Sequence, residues 1–339
     1  MEPKLNFRLT VLNPGGRDEP QEFPDGAGET ALPHPPTNFH AYAACTRGSF
    51  QRETKDAIAQ ATPVLVLLRG DFGASERAVD ALQAAGRFVA VSLKETGLHQ
   101  IADQLQHSTR LARFTRIVKK ADACLAPTPE AADLYRAVRG PEHAAFIPTP
   151  YPVDDPRWDF SRPIEQRAGI FIGTREWDVP SRNHLGALMV ARQLSERTGE
   201  AVTVFDRDGR RGARVLSEIG FVAGKLRVLT TKLGYPEYLR EVARHKIVLQ
   251  LDTSFVPGQV AGDALLCRVP CVGGNGAIDR LGFPETCGGS RSIAELGQIA
   301  ERLLMDPDFY RRTVAAIVPA ASKVLGFGVI AKQLEEFLV

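Results

Sequence analysis

Short runs of wholly apolar residues, each followed by a segment of helical spacing, recur along this chain and leave few folds open. Pro63-Val64-Leu65-Val66-Leu67-Leu68 is followed by a helical pattern from Ser75 to about Ala85. Arg87-Phe88-Val89-Ala90-Val91-Ser92-Leu93 precedes a helical pattern over Leu105–Lys120, and Ala123-Cys124-Leu125-Ala126 precedes another over Pro129–Arg139. A strand with one wet face alternates apolar and polar residues; a continuous run belongs to a strand covered on both faces. Strand and helix in strict alternation then predict a parallel sheet layered by helices, an α/β fold. Ala145-Phe146-Ile147 closes this half.

Pro148 to Pro163 interrupts the alternation with Pro, Asp and aromatic residues and reads as an interdomain linker. The pattern then restarts, with strands at Gly169–Gly173, Ala201–Phe205, Leu226–Leu229, Lys246–Leu251 and Val269–Gly273. Helices are expected at Arg182–Arg197, Tyr235–Arg244, Gly262–Cys267 and from Ile293 onwards. Upstream, Phe7–Leu12 reads as a strand, and the stretch from there to about Pro36, rich in proline and glycine, as a long irregular loop of the kind that carries function. The expected architecture is two Rossmann-like domains facing across a cleft, with ligand at the carboxyl ends of the strands. The boundaries are 1–160 and 161–320, with 321–339 a helix packing back on the first domain.

Composition removes whole classes of function. Over 339 residues, 42 basic and 40 acidic side chains leave a net charge of +2, too little to point a field at nucleic acid or an anionic bilayer. At 44% hydrophobic residues the chain is globular, not a disordered scaffold. Five cysteines form no CxxC pair, so a disulfide framework is not expected; Cys267 and Cys271 read as buried residues before a metal clip. The N-terminal residues lack a signal peptide's apolar core and no apolar run approaches about 20 residues, so the expected address is the cytoplasm, with a peripheral membrane role left open. No GxGxxG follows the first strand, which argues against a dinucleotide oxidoreductase.

The stretch from Ser254 to Val272 is the most informative. Gly258 sits in a turn before a helix, where backbone N–H groups and the helix N-terminus suit a phosphate. Asp263 follows one turn in: it can reach a ribose, or, as a first-turn acid, simply stabilise the helix dipole. Both readings stay open. The passage resembles the donor domain of GT-B-type glycosyltransferases, the large retaining group with a Glu-(seven residues)-Glu motif. Gly258-Gln259-Val260 matches that family's diphosphate turn, Asp263 its ribose acid, and Arg268-Val269-Pro270-Cys271-Val272 its following strand. The chain departs at Phe255, which stands where the family has its first acid.

A second match lies upstream. Ile172-Gly173-Thr174-Arg175 and Ser181-Arg182-Asn183 resemble the strand end and helix start whose two cations neutralise the leaving diphosphate. Gly173 and Thr174 form the turn, and Arg175 and Arg182 are the implied pair; a guanidinium fork suits developing phosphate charge. Tyr235 stands in the loop where such folds bind the base. In the first half, Ala121–Thr128 and Ile147–Asp154 resemble further family segments. Lys94-Glu95 ends a strand where family members often carry a catalytic histidine, and Glu95, Lys94 and His99 are the catalytic candidates. Glu95 as general base and Lys94–Glu95 as a plain surface ion pair are both open. Asn38 and His40 are assigned to the acceptor side.

The resemblance implies a sugar transferase with a nucleotide-diphosphate sugar as donor and a saccharide or small molecule as acceptor. It implies no separate cofactor and, with arginines and no Asp-x-Asp motif, no metal. Nucleic acid is not an expected partner. Polysaccharide or glycoconjugate biosynthesis is the expected setting. A nucleotide-sugar 2-epimerase of the same fold, or an inactive GT-B binding subunit, is the alternative.

Overall fold

The computed structural model describes residues 7–30, 32–173, 177–206 and 210–339, without the side chains of 210 and 211. Two compact units emerge: Met1–Arg157 with Phe255–Pro257 and Leu325–Val339, and Trp158–Ser254 with Gly258–Val324.

Among the described residues the first unit holds a seven-stranded sheet. Its strands are β1 (Thr10–Leu12), β2 (Gln21–Glu22), β3 (Ser49–Gln51), β4 (Val64–Leu68), β5 (Val89–Leu93), β6 (Ala123–Ala126) and β7 (Ala144–Phe146). They run in the order β2-β3-β1-β4-β5-β6-β7, parallel throughout except where β2 pairs antiparallel with β3. The apolar runs bury both faces, as their composition requires. Val64, Val66 and Leu68 join Val89, Val91 and Leu93 in one core, while Leu65, Leu67 and Ala90 point into the other. Each of these valines and leucines withdrawn from water contributes roughly 1.5–3 kcal/mol. The second core is closed by Ile330, Leu334 and Leu338 of the C-terminal helix Phe327–Leu338, which packs with Tyr42 of helix Asn38–Cys45.

The second unit carries β8 (Ile170–Ile172), β9 (Val202–Phe205), β10 (Leu226–Leu229), β11 (Ile247–Leu249) and β12 (Cys271–Val272), all parallel, in the order β10-β9-β8-β11-β12. Chain direction across this sheet reverses between β8 and β11. In the first unit the reversal falls between β1 and β4. Open α/β sheets bind ligands outside the carboxyl ends of the strands at such a reversal.

Several expected elements shift. The long early loop contains β2, and Ser49-Phe50-Gln51, with polar ends, forms an unforeseen strand. The helix expected over Leu105–Lys120 begins at Ser108, and a separate helix, Leu98–Leu105, precedes it across a break at Gln106-His107. The helix expected from Arg182 starts at His184, because Pro180–Arg182 makes a 3₁₀ turn and Asn183 turns left-handed at φ 47°. The helix expected at Gly262–Cys267 runs from Gln259 to Leu266. No helix among the described residues is long and apolar enough to cross a membrane.

Candidate functional site

In the second unit the residues after β8 and β11 meet at the strand reversal. Gly173 follows β8 and has no room for a side chain: a Cβ there would lie 2.2 Å from Val260 Cγ1. That close approach seats the start of helix Gln259–Leu266 against the strand end. Gly258 caps the helix at φ +96°, a conformation that costs other residues energy, and a Cβ there would meet Asp279 Oδ2 at 2.8 Å. Gly258, Gln259, Val260 and Gly173 are therefore brought together. Thr174 and Arg175 lie outside the described residues.

Arg182, in its 3₁₀ turn, forms an ion pair with Asp252, and both side chains are largely buried. The loop after β11 holds Asp252 in place: Ser254 N–H donates to Asp252 Oδ1 at 2.7 Å. Thr253 N–H donates to the Ser181 carbonyl at 2.8 Å, and the Ser254 and Ser181 hydroxyls lie 2.8 Å apart. Beneath them Gln250 Nε2 donates to Asp279 Oδ1 at 2.7 Å. Asp279 is buried in the helix Ala277–Gly282; burial, then the charge of Asp252, lifts its carboxyl to about 7.

Asp263 lies in the second turn of its helix and is wholly buried. The reading as a first-turn dipole acid is thus overturned, since the helix begins earlier than its spacing suggests. Tyr235 Oη donates to Asp263 Oδ1 at 2.5 Å, which places the two candidates for base and ribose in direct contact. Tyr235 opens helix Tyr235–Val242 after β10 and sits 6.2 Å from the ring of buried Trp158. His184 at the start of its helix is buried, with no hydrogen bond to either ring nitrogen among the described residues, edge-on to Trp177 at 4.0 Å. Burial lowers its pKa to about 4.

In the first unit Lys94 and Glu95 follow β5, whose end is pinned by Leu93 N–H donating to Tyr135 Oη at 2.6 Å. Lys94 Nζ pairs with Glu95 Oε1 at 3.2 Å, and Gln100 Nε2 donates to Glu95 Oε2 at 3.1 Å. Both carboxylate oxygens are thus engaged on an exposed rim. His99 lies just beyond, in the first turn of helix Leu98–Leu105. Asn38 starts its helix at φ 49°, exposed, while His40 stacks on Phe50 at 3.8 Å and under His34 at 4.8 Å. Burial first, then His34, lowers the His40 pKa to about 4, so its ring is neutral at physiological pH.

Sequence reasoning passed over Asn13, which follows β1; Arg69, after β4, it noted only as another strand end on the acceptor rim, and both stand at the reversal of the first sheet. Asn13 is buried, donates from Nδ2 to Asp18 at 3.4 Å, and has no hydrogen bond to Oδ1 among the described residues; Arg69 Nη1 donates to the Gly15 carbonyl at 3.1 Å. The signal was Asn13-Pro14-Gly15-Gly16, a turn sequence directly after the first strand. It also passed over Asp252 and Asp279, which no family motif marks. All five cysteines are free and buried, and burial raises the thiols of Cys267 and Cys271. Among the described residues no three His, Cys, Asp or Glu side chains converge as a metal site.

No family model matches this chain, and no curated protein does at a significant level. Solved structures do. HepE of Anabaena, solved with UDP, is similar over 98% of this chain and 99% of its own, with a TM-score of 0.65 at 13% identity. The α,α-trehalose 6-phosphate synthase of Burkholderia multivorans is similar over 98% and 96%, at 0.64 and 9% identity. The E. coli trehalose 6-phosphate enzyme bound with UDP-2-fluoro glucose is similar over 82% and 73%, at 0.60 and 10% identity. The chain has the GT-B fold, with its two Rossmann-like domains, as these glycosyltransferase neighbours do.

Proposed function

We propose that the chain is a glycosyltransferase using a nucleoside-diphosphate sugar, with the donor held in the second unit. One observation carries this: a left-handed glycine, Gly258, opens a helix at the strand reversal beside Gly173, with Arg182 at the same strand ends. N–H groups at a helix start and a guanidinium are what a diphosphate needs. The similarity in fold to a protein solved with UDP supports the same reading. In it, Gly258–Val260, Arg182 and Arg175 hold the diphosphate, Asp263 the ribose, and Tyr235 the base. Asn38, His40, His99, Lys94 and Glu95 of the first unit serve the acceptor and the transfer step. The arginines take the role a divalent ion would otherwise have, so transfer persists in EDTA. We further propose that the protein works in the cytoplasm.

The inactive-subunit alternative draws on two observations: Phe255 stands at the first acid's position, and Glu95 is tied into an ion pair. Thermal-shift screening against UDP, GDP, TDP, CDP and NAD tests the donor reading. One nucleoside diphosphate should stabilise the chain, and Arg182→Ala should abolish the shift. No shift with any of them at millimolar concentration sinks it. A hexosyl transfer assay with the sugar nucleotide of the stabilising base then separates enzyme from inactive binder.

A further inference from the structure

Two buried acids lie behind the proposed diphosphate turn, and one of them, Asp252, is paired with Arg182. Gln250 and Asp252 are two residues apart in the segment that follows β11. Gln250 reaches Asp279 and Asp252 reaches Arg182, so the order across the floor of the site is Arg182, Asp252, Asp279, Gly258. Asp252 is 5% exposed and Asp279 2%, so water screens their mutual repulsion poorly. Arg182 now compensates Asp252. Resting on the donor-site reading, we infer that a nucleoside diphosphate binding at Gly258–Val260 draws Arg182 from Asp252, and that the Asp252–Asp279 pair takes up one proton as it binds.

The physical reason is competition for one guanidinium. A diphosphate carries more charge than Asp252 and accepts the same fork of N–H donors. Once Arg182 turns to it, two buried carboxylates face each other beside a third anion. Like charges confined in a buried site cannot both stay ionised, and one binds a proton. The proton comes from solvent and ends on a carboxyl oxygen of the pair; no other bond changes. Asp279 is already poised for this, since burial and Asp252 hold it near 7.

Other groups from the elements packed around Asp279 are these. From β12, the Cys271 thiol lies 4.0 Å from Asp279 Oδ1 and is kept protonated by burial. On its own helix Arg280 donates from Nε to the Gly276 carbonyl at 3.4 Å. From the helix Gln259–Leu266, Asp263 adds negative charge near Cys271. Gly258 and Gly274 press backbone against the carboxyl: a Cβ at Gly274 would lie 2.3 Å from Oδ1.

The test is isothermal titration of the full chain with the nucleoside diphosphate that binds in the screen above (UDP, GDP, TDP or CDP). It is run at pH 7.5–8.5 in phosphate and in Tris, whose ionisation enthalpies differ. The nucleotide's terminal phosphate, with a second ionisation near about 6, is fully charged there. The wild type should take up about half to one proton per nucleotide, and affinity should fall by up to about tenfold per pH unit. Asp279→Asn should remove both effects, and Asp252→Asn does the same if the first variant does not give a cooperative melt. Binding with equal heats in both buffers overturns the inference and leaves the donor site standing. Uptake that persists in both variants overturns it too. No binding of any nucleotide overturns the donor reading and this inference together.

Discussion

Tyr235 donates its phenolic hydrogen to Asp263 at 2.5 Å, joining the first residue of one helix to the wholly buried acid of another. The bond ties the loop after β10 to the helix that Gly258 opens, so the proposed base and ribose contacts are mechanically one. A hydrogen bond to a charged group contributes about 1.5–3 kcal/mol. Tyr235→Phe should therefore cost about 2 kcal/mol in urea unfolding and weaken nucleotide binding. A stability change below about 0.5 kcal/mol would show the bond to be incidental.

Gly258 and Gly199 form a matched pair. Both have positive φ, +96° and +75°, but a Cβ at Gly258 meets Asp279 whereas one at Gly199 meets nothing within 4 Å. Gly199→Ala should cost only the conformational term, about 1–2 kcal/mol. Gly258→Ala should cost more and should also abolish the nucleotide-induced thermal shift. Equal effects in the two variants would mean that the contact with Asp279 is unimportant.

Arg182 compensates a buried charge, so its loss should reach beyond ligand binding. Removing one partner of a buried ion pair typically costs about 3–5 kcal/mol. Arg182→Met is expected at the lower end of that range, near about 3 kcal/mol at pH 8. Adding Asp252→Leu should restore most of it while binding stays lost. If the double variant is as unstable as the single one, the cost lies in packing.

Stability should depend on pH in a way that buried histidines determine. His184 and His40 fall from 6.5 to about 4 on folding, so the unfolded chain binds their protons first. Their contribution is whole above pH 6.5 and is lost as pH falls towards 4. At about 1.4 kcal/mol per pKa unit, each loses roughly 3 kcal/mol across that window. Asp279 runs the other way: raised from 3.8 to about 7, it makes the fold less stable as pH rises between those values. Denaturation of wild type against His184→Leu isolates one histidine, and the difference between the two curves should narrow by roughly 3 kcal/mol from pH 7 to 4. A constant difference would refute it.

Lys94 and Glu95 pair on an exposed rim, where an ion pair is worth about 0–1 kcal/mol. Glu95→Gln should therefore leave the melt unchanged. If sugar transfer is lost nonetheless, Glu95 acts on the reaction; if transfer also survives, the residue serves only the surface.

The apolar runs made the sheets legible. Val64–Leu68 and Val89–Leu93 have no polar face to show, and a parallel sheet with both faces covered follows from that alone. Ser49-Phe50-Gln51 was illegible because its pairing with β1 supplies what three residues with polar ends cannot signal. The helix at Gln259 was misplaced because its start is fixed by packing of Val260 on Gly173, contact made across the fold. Gly258, Arg182 and Asp263 could be singled out by motif. Asp252 and Asp279 could not, since their meaning lies in contacts across the fold, with Arg182 and with Gln250, and spacing along the chain carries no trace of those.

The C-terminal helix Phe327–Leu338 closes the core over Tyr42 and Leu65, which bears on how the protein is made. On the ribosome, the strands of the first unit emerge early, yet one side of their sheet is only partly covered until residues 327–338 follow the second unit. Domains usually fold in the order of synthesis. Here the second unit can finish before the first, and the nascent first unit carries an incompletely covered apolar sheet face while the second is made.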